Sequence, residues 1–212
     1  QPLKRKEDSR FLTGNGSYTD DLNFKDQVYM YILRSPFASA KIKKIDFSAA
    51  AKKEGIITIL SNEIITSLKI NPMLPGFTVK NKDGKDMTVT SRNILADNKV
   101  RYVGEPILAI IANTIENAEE AADIIDIEYE DLESTTNIQD AIKKDAPIVR
   151  DGLSNNLCFD WELGELAKTT ESLNRSKYKV DIQLINNRLV PNPMECRNTI
   201  GQYDSTTDEY SL

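Results

Sequence analysis

No histidine occurs among the 212 residues. That absence excludes Ser-His and Cys-His nucleophilic pairs, and it removes the commonest metal ligand. Cysteine is nearly as scarce. Cys158 and Cys196 form no C-x-x-C pair and cannot alone supply the four ligands of a structural zinc site. A lone disulfide between them is disfavoured in a protein read as cytoplasmic. Trp161, in "FDWELGE", is the only tryptophan, and reads as a packing anchor under a loop rather than a ligand platform. The longest apolar run, Pro106 to Ala112, is far short of the roughly 20 residues a membrane helix needs. The basic N-terminus "QPLKRKEDSRFLTG" has no apolar stretch behind it, so no secretory signal is expected. A net charge of −6 argues against nucleic acid as a partner. The local cluster Lys4-Arg5-Lys6 reads as a solvated arm.

What is present suits a soluble globular chain: 40 % hydrophobic and 28 % charged residues, long enough for one large or two small domains. Residues 8–26 are rich in Gly, Asp, Asn and Ser and predict a loop turning at Gly14 and Gly16. Their Gly-Asn-Gly lacks the strand, helix and third glycine of a dinucleotide fingerprint. "QVYMYILR" (27–34), "KIKKID" (41–46) and "IITIL" (56–60) predict strands. "FSAAAKKEG" (47–55) between them predicts a short helix capped by Ser48 and ended by Gly55.

"VRYVGEPILAIIA" (100–112) predicts a strand, a Gly-Glu-Pro break and a strongly apolar strand. "NTIENAEEAADII" (113–125) predicts a helix with Asn113 or Thr114 as N-cap, presenting Ile115, Ala118, Ala122 and Ile125 on one face. "IEYED" (127–131) predicts a returning strand, which completes a compact α/β unit. Farther on, short helices are expected after Asn137 and over 165–176, and a long strand over 177–190. A hairpin is expected to turn at Ser205 to Asp208. The expected division is an N-terminal arm and loop at 1–26, an α/β domain at 27–131, a linker at 132–160 and the start of another domain at 161–212.

The groups that invite a chemical reading are few. Glu195-Cys196-Arg197 puts a thiol beside a carboxylate and a guanidinium, and a thiolate beside a cation is the requirement for a reactive cysteine. On an extended strand, however, Glu195 and Arg197 share one face and Cys196 points to the other, which favours a structural role. Glu105, in the Gly-Glu-Pro break, offers a general base with a raised pKa or an exposed turn residue, and the turn residue is the preferred reading. The acidic pairs Asp20-Asp21 and Glu119-Glu120 lack the converging partners of a metal site.

Five blocks, in order, carry a resemblance: "RKEDSRFLTGNGSYTDDL", "LRSPFASAKIKKID", "LADNKVRYVGEPILAIIA", "AEEAADIIDIEYEDL" and "RLVPNPMECRNTIGQYD". Together the ordered set is similar to the N-terminal portion of the molybdopterin-binding large subunit of the xanthine dehydrogenase, aldehyde oxidase and carbon monoxide dehydrogenase family. The resemblance implies an α+β fold, in which an α/β hammerhead domain is followed by the first strands and helix of a molybdopterin-binding domain. It implies an oxidoreductase using water as its oxygen source, with molybdopterin in the complete enzyme. Iron-sulfur clusters and FAD are expected on partner subunits, a [2Fe-2S] small subunit and an FAD-binding medium subunit, in an oligomer that also needs the remainder of the large subunit.

The family's glutamine-bearing strand, glycine-rich loop and base glutamate do not occur in this sequence. The resemblance therefore carries over no catalytic residue and no metal ligand, and leaves the cofactor-binding residues unknown. Phe37 and Ser39 stand where the family has histidines, and Cys196 where it often has proline. A second reading is a non-catalytic binding or assembly module that reuses the hammerhead fold. A third, a free-standing cysteine enzyme using Cys196, is the least favoured.

Overall fold

The computed structural model describes residue 3 and residues 5–212. In chain order its elements are α1 (Asp8–Leu12), β1 (Tyr29–Arg34), β2 (Ala40–Asp46), β3 (Ile56–Leu60), α2 (Asn62–Ser67), β4 (Lys99–Val100), β5 (Pro106–Ala112), α3 (Ile115–Asp123), β6 (Asp126–Asp131), α4 (Ile138–Ala141), α5 (Leu166–Arg175), β7 (Gln202–Asp204) and β8 (Glu209–Ser211). They fall into two compact units: Val28–Ser172, and Gln1–Gln27 with Leu173–Leu212.

The larger unit is built on β5. Its apolar run lies in the middle of an antiparallel sheet of order β1-β5-β3, where a strand covered on both faces loses the polar alternation of a half-exposed one. Leu108 and Ile110 face the main core, with Val100, Ile107 and the alanines of α3, while Ala109 faces a second cluster with Ile65 and Leu95. Pro106 opens the strand, where its missing N–H disturbs the ladder least. Helix α3 packs on β1 and β5, and Ala118, Ala121 and Ala122 bring its backbone close to the sheet. The Thr114 hydroxyl caps it by accepting from the Asn117 N–H.

A second antiparallel sheet has the order β4-β2-β6. Ala40 is buried and Ile42 and Ile45 pack against the core, while Lys41, Lys43 and Lys44 stay outside. Glu130 of β6 pairs with both Lys41 and Lys43. The outer strand β6 thus carries charge along its open edge, a device that discourages pairing with other chains.

Several expectations need correction. The helix expected over 47–55 is one 3-10 turn, Ala50–Lys52. Ser48 caps nothing; its N–H and hydroxyl both donate to Asp46 Oδ1, while Ala50 is pulled into the core. Helix α2 was not expected; the Ser61 hydroxyl caps it. The 8–26 loop contains α1 and a 3-10 turn, Thr19–Asp21. The stretch 132–160, expected as a linker, belongs wholly to the larger unit. It is held there by Asn156, whose amide donates to the Ala141 and Pro147 carbonyls and accepts from the Val149 N–H.

The smaller unit is more open. The hairpin β7-β8 forms at the expected place, with Tyr203 opposite Tyr210 and their ring centroids 4.7 Å apart. The long strand expected over 177–190 does not form, and that segment is exposed throughout without regular structure. Its pattern suits a strand, but no neighbouring strand lies beside it among the described residues, and an unpaired strand leaves its backbone groups to water.

Candidate functional site

The Gly-Glu-Pro break is neither an exposed turn nor an open base. Glu105 is 7 % exposed, and its carboxylate accepts from the Arg101 backbone N–H. Arg101, its side chain 8 % exposed, fans out to Asp97 Oδ1 at 3.2 Å, Glu105 Oε1 at 3.9 Å and Asp151 Oδ2 at 3.7 Å. It also donates to the Lys99 carbonyl at 2.8 Å. Lys99 reaches Asp151 as well, at 3.1 Å. The backbone of the break is fixed independently: Ser35 N donates to Glu105 O, Gly104 N to Ser35 O, and Arg34 Nη1 to Gly104 O. The sequence singled out Glu105 but missed Arg101, Asp97 and Asp151. The four-residue spacings from 97 to 101 to 105 were visible, but Asp151 joins only through the tertiary fold.

In the smaller unit, Glu195 is a tie. Its Oε1 accepts from both the Thr19 N–H and the Thr19 hydroxyl, each at 3.1 Å. Cys196 is exposed, and no disulfide joins it to Cys158. Arg197 makes no ion pair among the described residues. The triplet is thus not brought together as a thiolate site. Of the acidic pairs, Asp21 accepts from the Tyr18 N–H at the 3-10 turn. Glu120 pairs with Lys53, whose hydrogen bond and charge hold the Glu120 carboxyl below the usual range. Trp161 is 55 % exposed, so it does not anchor packing under a loop. Of the Lys4-Arg5-Lys6 cluster, Lys4 lies outside the described residues.

Two clefts indent the larger unit. One, of about 340 Å³, lies between the loops 81–88 and 153–160. Its Lys82 is already paired with Asp160, which holds the ammonium above its ordinary pKa. The other, of about 460 Å³, has an apolar floor that includes Ile42, Ile45, Phe47 and Ile107. A pterin dithiolene with its phosphate needs a convergence of uncommitted donors. Here the buried guanidinium is surrounded by carboxylates, and among the described residues no three of His, Cys, Asp and Glu gather as metal ligands. The residues of this chain do not fit the cofactor by themselves, and no reaction step is drawn through it. Nor is any helix among the described residues long and apolar enough to cross a membrane.

Comparison with known proteins explains why the sites read as scaffold. The model of the aldehyde oxidase and xanthine dehydrogenase a/b hammerhead domain matches residues 13–133. The carbon monoxide dehydrogenase large chain of Hydrogenophaga pseudoflava is 29 % identical over 94 % of this chain, which covers 25 % of that protein. The nicotine 6-hydroxylase large subunit of Paenarthrobacter nicotinovorans is 29 % identical over 99 % of this chain, again covering 25 % of the relative. The crystal structure of quinoline 2-oxidoreductase from Pseudomonas putida 86 superposes with a TM-score of 0.78 at 30 % identity, over 98 % of this chain and 25 % of that one. The chain spans about a quarter of the length of the relatives it matches. With more than half of its residues inside the matched domain and its α+β architecture shared, the chain belongs to the aldehyde oxidase and xanthine dehydrogenase a/b hammerhead domain family.

Proposed function

We propose that these residues are the N-terminal quarter of a molybdenum hydroxylase large subunit, of the aldehyde oxidase, xanthine dehydrogenase and carbon monoxide dehydrogenase type. The complete enzyme is a cytoplasmic oxidoreductase that uses water as its oxygen source, and its molybdopterin is held by the downstream region. In this reading the chain is inactive alone. It supplies the platform against which the cofactor-binding region folds, and electrons leave to a [2Fe-2S] small subunit and an FAD-binding medium subunit.

The observation that carries this reading is the exposed segment after α5. Val180, Ile182, Leu184, Ile185, Leu189 and Val190 are all exposed, Leu184 by 84 %. Apolar side chains left in water at this density mark a surface that another part of a protein covers. The segment's β-branched residues suit a strand, and what it lacks is a sheet to join. The relatives' fourfold greater length supports polypeptide that could provide one.

The test is co-expression with the region that follows in the relatives, then analysis of the purified complex for molybdenum and pterin. A complex carrying molybdopterin in proportion to protein is expected, with none on the chain alone. Failure of the two polypeptides to associate would count against the reading, as would stoichiometric molybdopterin on the chain by itself.

A further inference from the structure

The loop between α2 and β4 has an apolar surface that the platform role does not use. From Ile70 to Val79 the sequence "INPMLPGFTV" carries no charge. Leu68, Ile70, Met73, Leu74 and Phe77 are exposed, Phe77 by 75 % and Leu74 by 68 %. The loop is nonetheless fixed. Ile65 just before it and Leu95 just after it are buried together in the second apolar cluster. In between, Met73 and Arg92 exchange two backbone hydrogen bonds, of 2.7 and 2.8 Å. Pro72, Pro75 and Gly76 keep the tip from becoming a strand that would pair edge to edge. A rigid loop that holds five large apolar side chains in water has its binding conformation in place before any partner arrives.

Charge narrows what covers it. Lys69 and Arg92 flank the patch, both exposed and neither in an ion pair among the described residues. Residues 68–92 hold five cations against two carboxylates in a chain of net charge −6. Pairing this face with its own copy about a two-fold axis would set like charges against each other, which is costly. An apolar cleft bordered by carboxylates on a different protein satisfies both the side chains and the free cations. We infer that the Leu68–Phe77 loop docks a second subunit of the enzyme complex through such an acidic-rimmed apolar cleft. This rests on the reading of the chain as part of a multi-subunit oxidoreductase, and adds to it a contact distinct from the segment after α5.

The experiment uses the complex purified from its own source through a tag on this chain, with subunit stoichiometry read by native mass spectrometry. The variants are Met73→Glu/Phe77→Glu, which remove the apolar knobs, and Lys69→Glu/Arg92→Glu, which reverse the rim charge. Both alter exposed side chains, so the free chain should unfold at the wild-type temperature. Each variant is expected to lose one separate subunit by at least ~tenfold in occupancy while keeping the downstream cofactor-binding region, and added salt should weaken the same contact in the wild type. Wild-type stoichiometry in both variants would overturn the inference and leave the proposed function standing. Loss of the downstream region instead would overturn it too, as would self-association of the free chain abolished by Phe77→Glu, or binding of the free chain to anionic phospholipid vesicles. A wild-type chain that purifies with no other polypeptide would defeat the proposed function and this inference together.

Discussion

Glu195 and Thr19, 176 positions apart in sequence, meet through a single carboxylate oxygen that accepts from both the backbone N–H and the hydroxyl of Thr19. That contact turns a suggestive triplet into a tie between the N-terminal turn and the C-terminal segment. Glu195→Ala should therefore speed hydrogen exchange of the Thr19 amide roughly fivefold, while Cys196→Ser should leave it unchanged. Amide exchange followed by NMR measures both, and equal rates in wild type and Glu195→Ala would show the tie to be idle.

Burying Arg101 and Glu105 together makes each dependent on the other. Removal of one partner leaves a charge with its solvation lost and its pairing incomplete, a change that costs about 3–5 kcal/mol. Arg101→Ala and Glu105→Ala should each lower the urea midpoint of unfolding, with the double variant less than additive. Additive losses would mean the two groups are not coupled.

Gly55 stands at φ +83°, where a Cβ would fall against the Asn117 amide and 2.7 Å from Asn113 Oδ1. Gly55→Ala should cost about 1–3 kcal/mol through strain and through disturbance of the start of α3. The loss is read as a fall in the thermal midpoint. Pairing it with Asn117→Ala, which clears part of the space, should recover some of that fall.

Core and exposed apolar positions should respond in opposite ways. Leu108→Ala in the fully buried β5 should cost about 2–5 kcal/mol. Leu184→Ala should fall within about 0.5 kcal/mol of wild type in the free chain, yet weaken association with the downstream region. Urea titration gives the first pair of values, and co-purification the last.

The pH dependence follows from exposed ion pairs. Hydrogen bonding by Lys43, with the charges of Lys41 and Lys43, holds Glu130 below its ordinary 4.5. Lys53 does the same for Glu120, and the Ser48 hydroxyl and N–H hold Asp46 below 3.8. Since these folded-state values lie below the unfolded ones, their stabilisation is complete above the ordinary carboxylate values and is lost as pH falls through the lowered ones. Glu130 in turn raises Lys43 above 10.5, so that contribution is complete below 10.5 and is lost as pH climbs through the raised value. Urea midpoints should be level near neutrality and fall toward about pH 3, and Glu130→Gln should flatten part of the fall. High salt should reduce the difference.

Much of the larger unit was legible because its signals are local. The alternation of lysines and isoleucines in β2, the uninterrupted apolar run of β5 and the Thr114 cap of α3 each report burial or backbone pairing within a few residues. Sequence failed where the deciding partner is remote. Ser48 is drawn from capping to donating because Ala50 is claimed by the core, and 132–160 is packed because Asn156 finds three backbone partners.

The sequence by itself determined the strand and helix periods, the family resemblance and the lack of histidine chemistry, because each is a property of residue type and spacing. Only the tertiary structure decided that Glu105 is buried against Arg101, that Glu195 holds Thr19, and that residues 177–190 stay unpaired. Charge pairing, burial and strand pairing all depend on which distant groups arrive at the same place, and spacing along a chain does not encode that arrival.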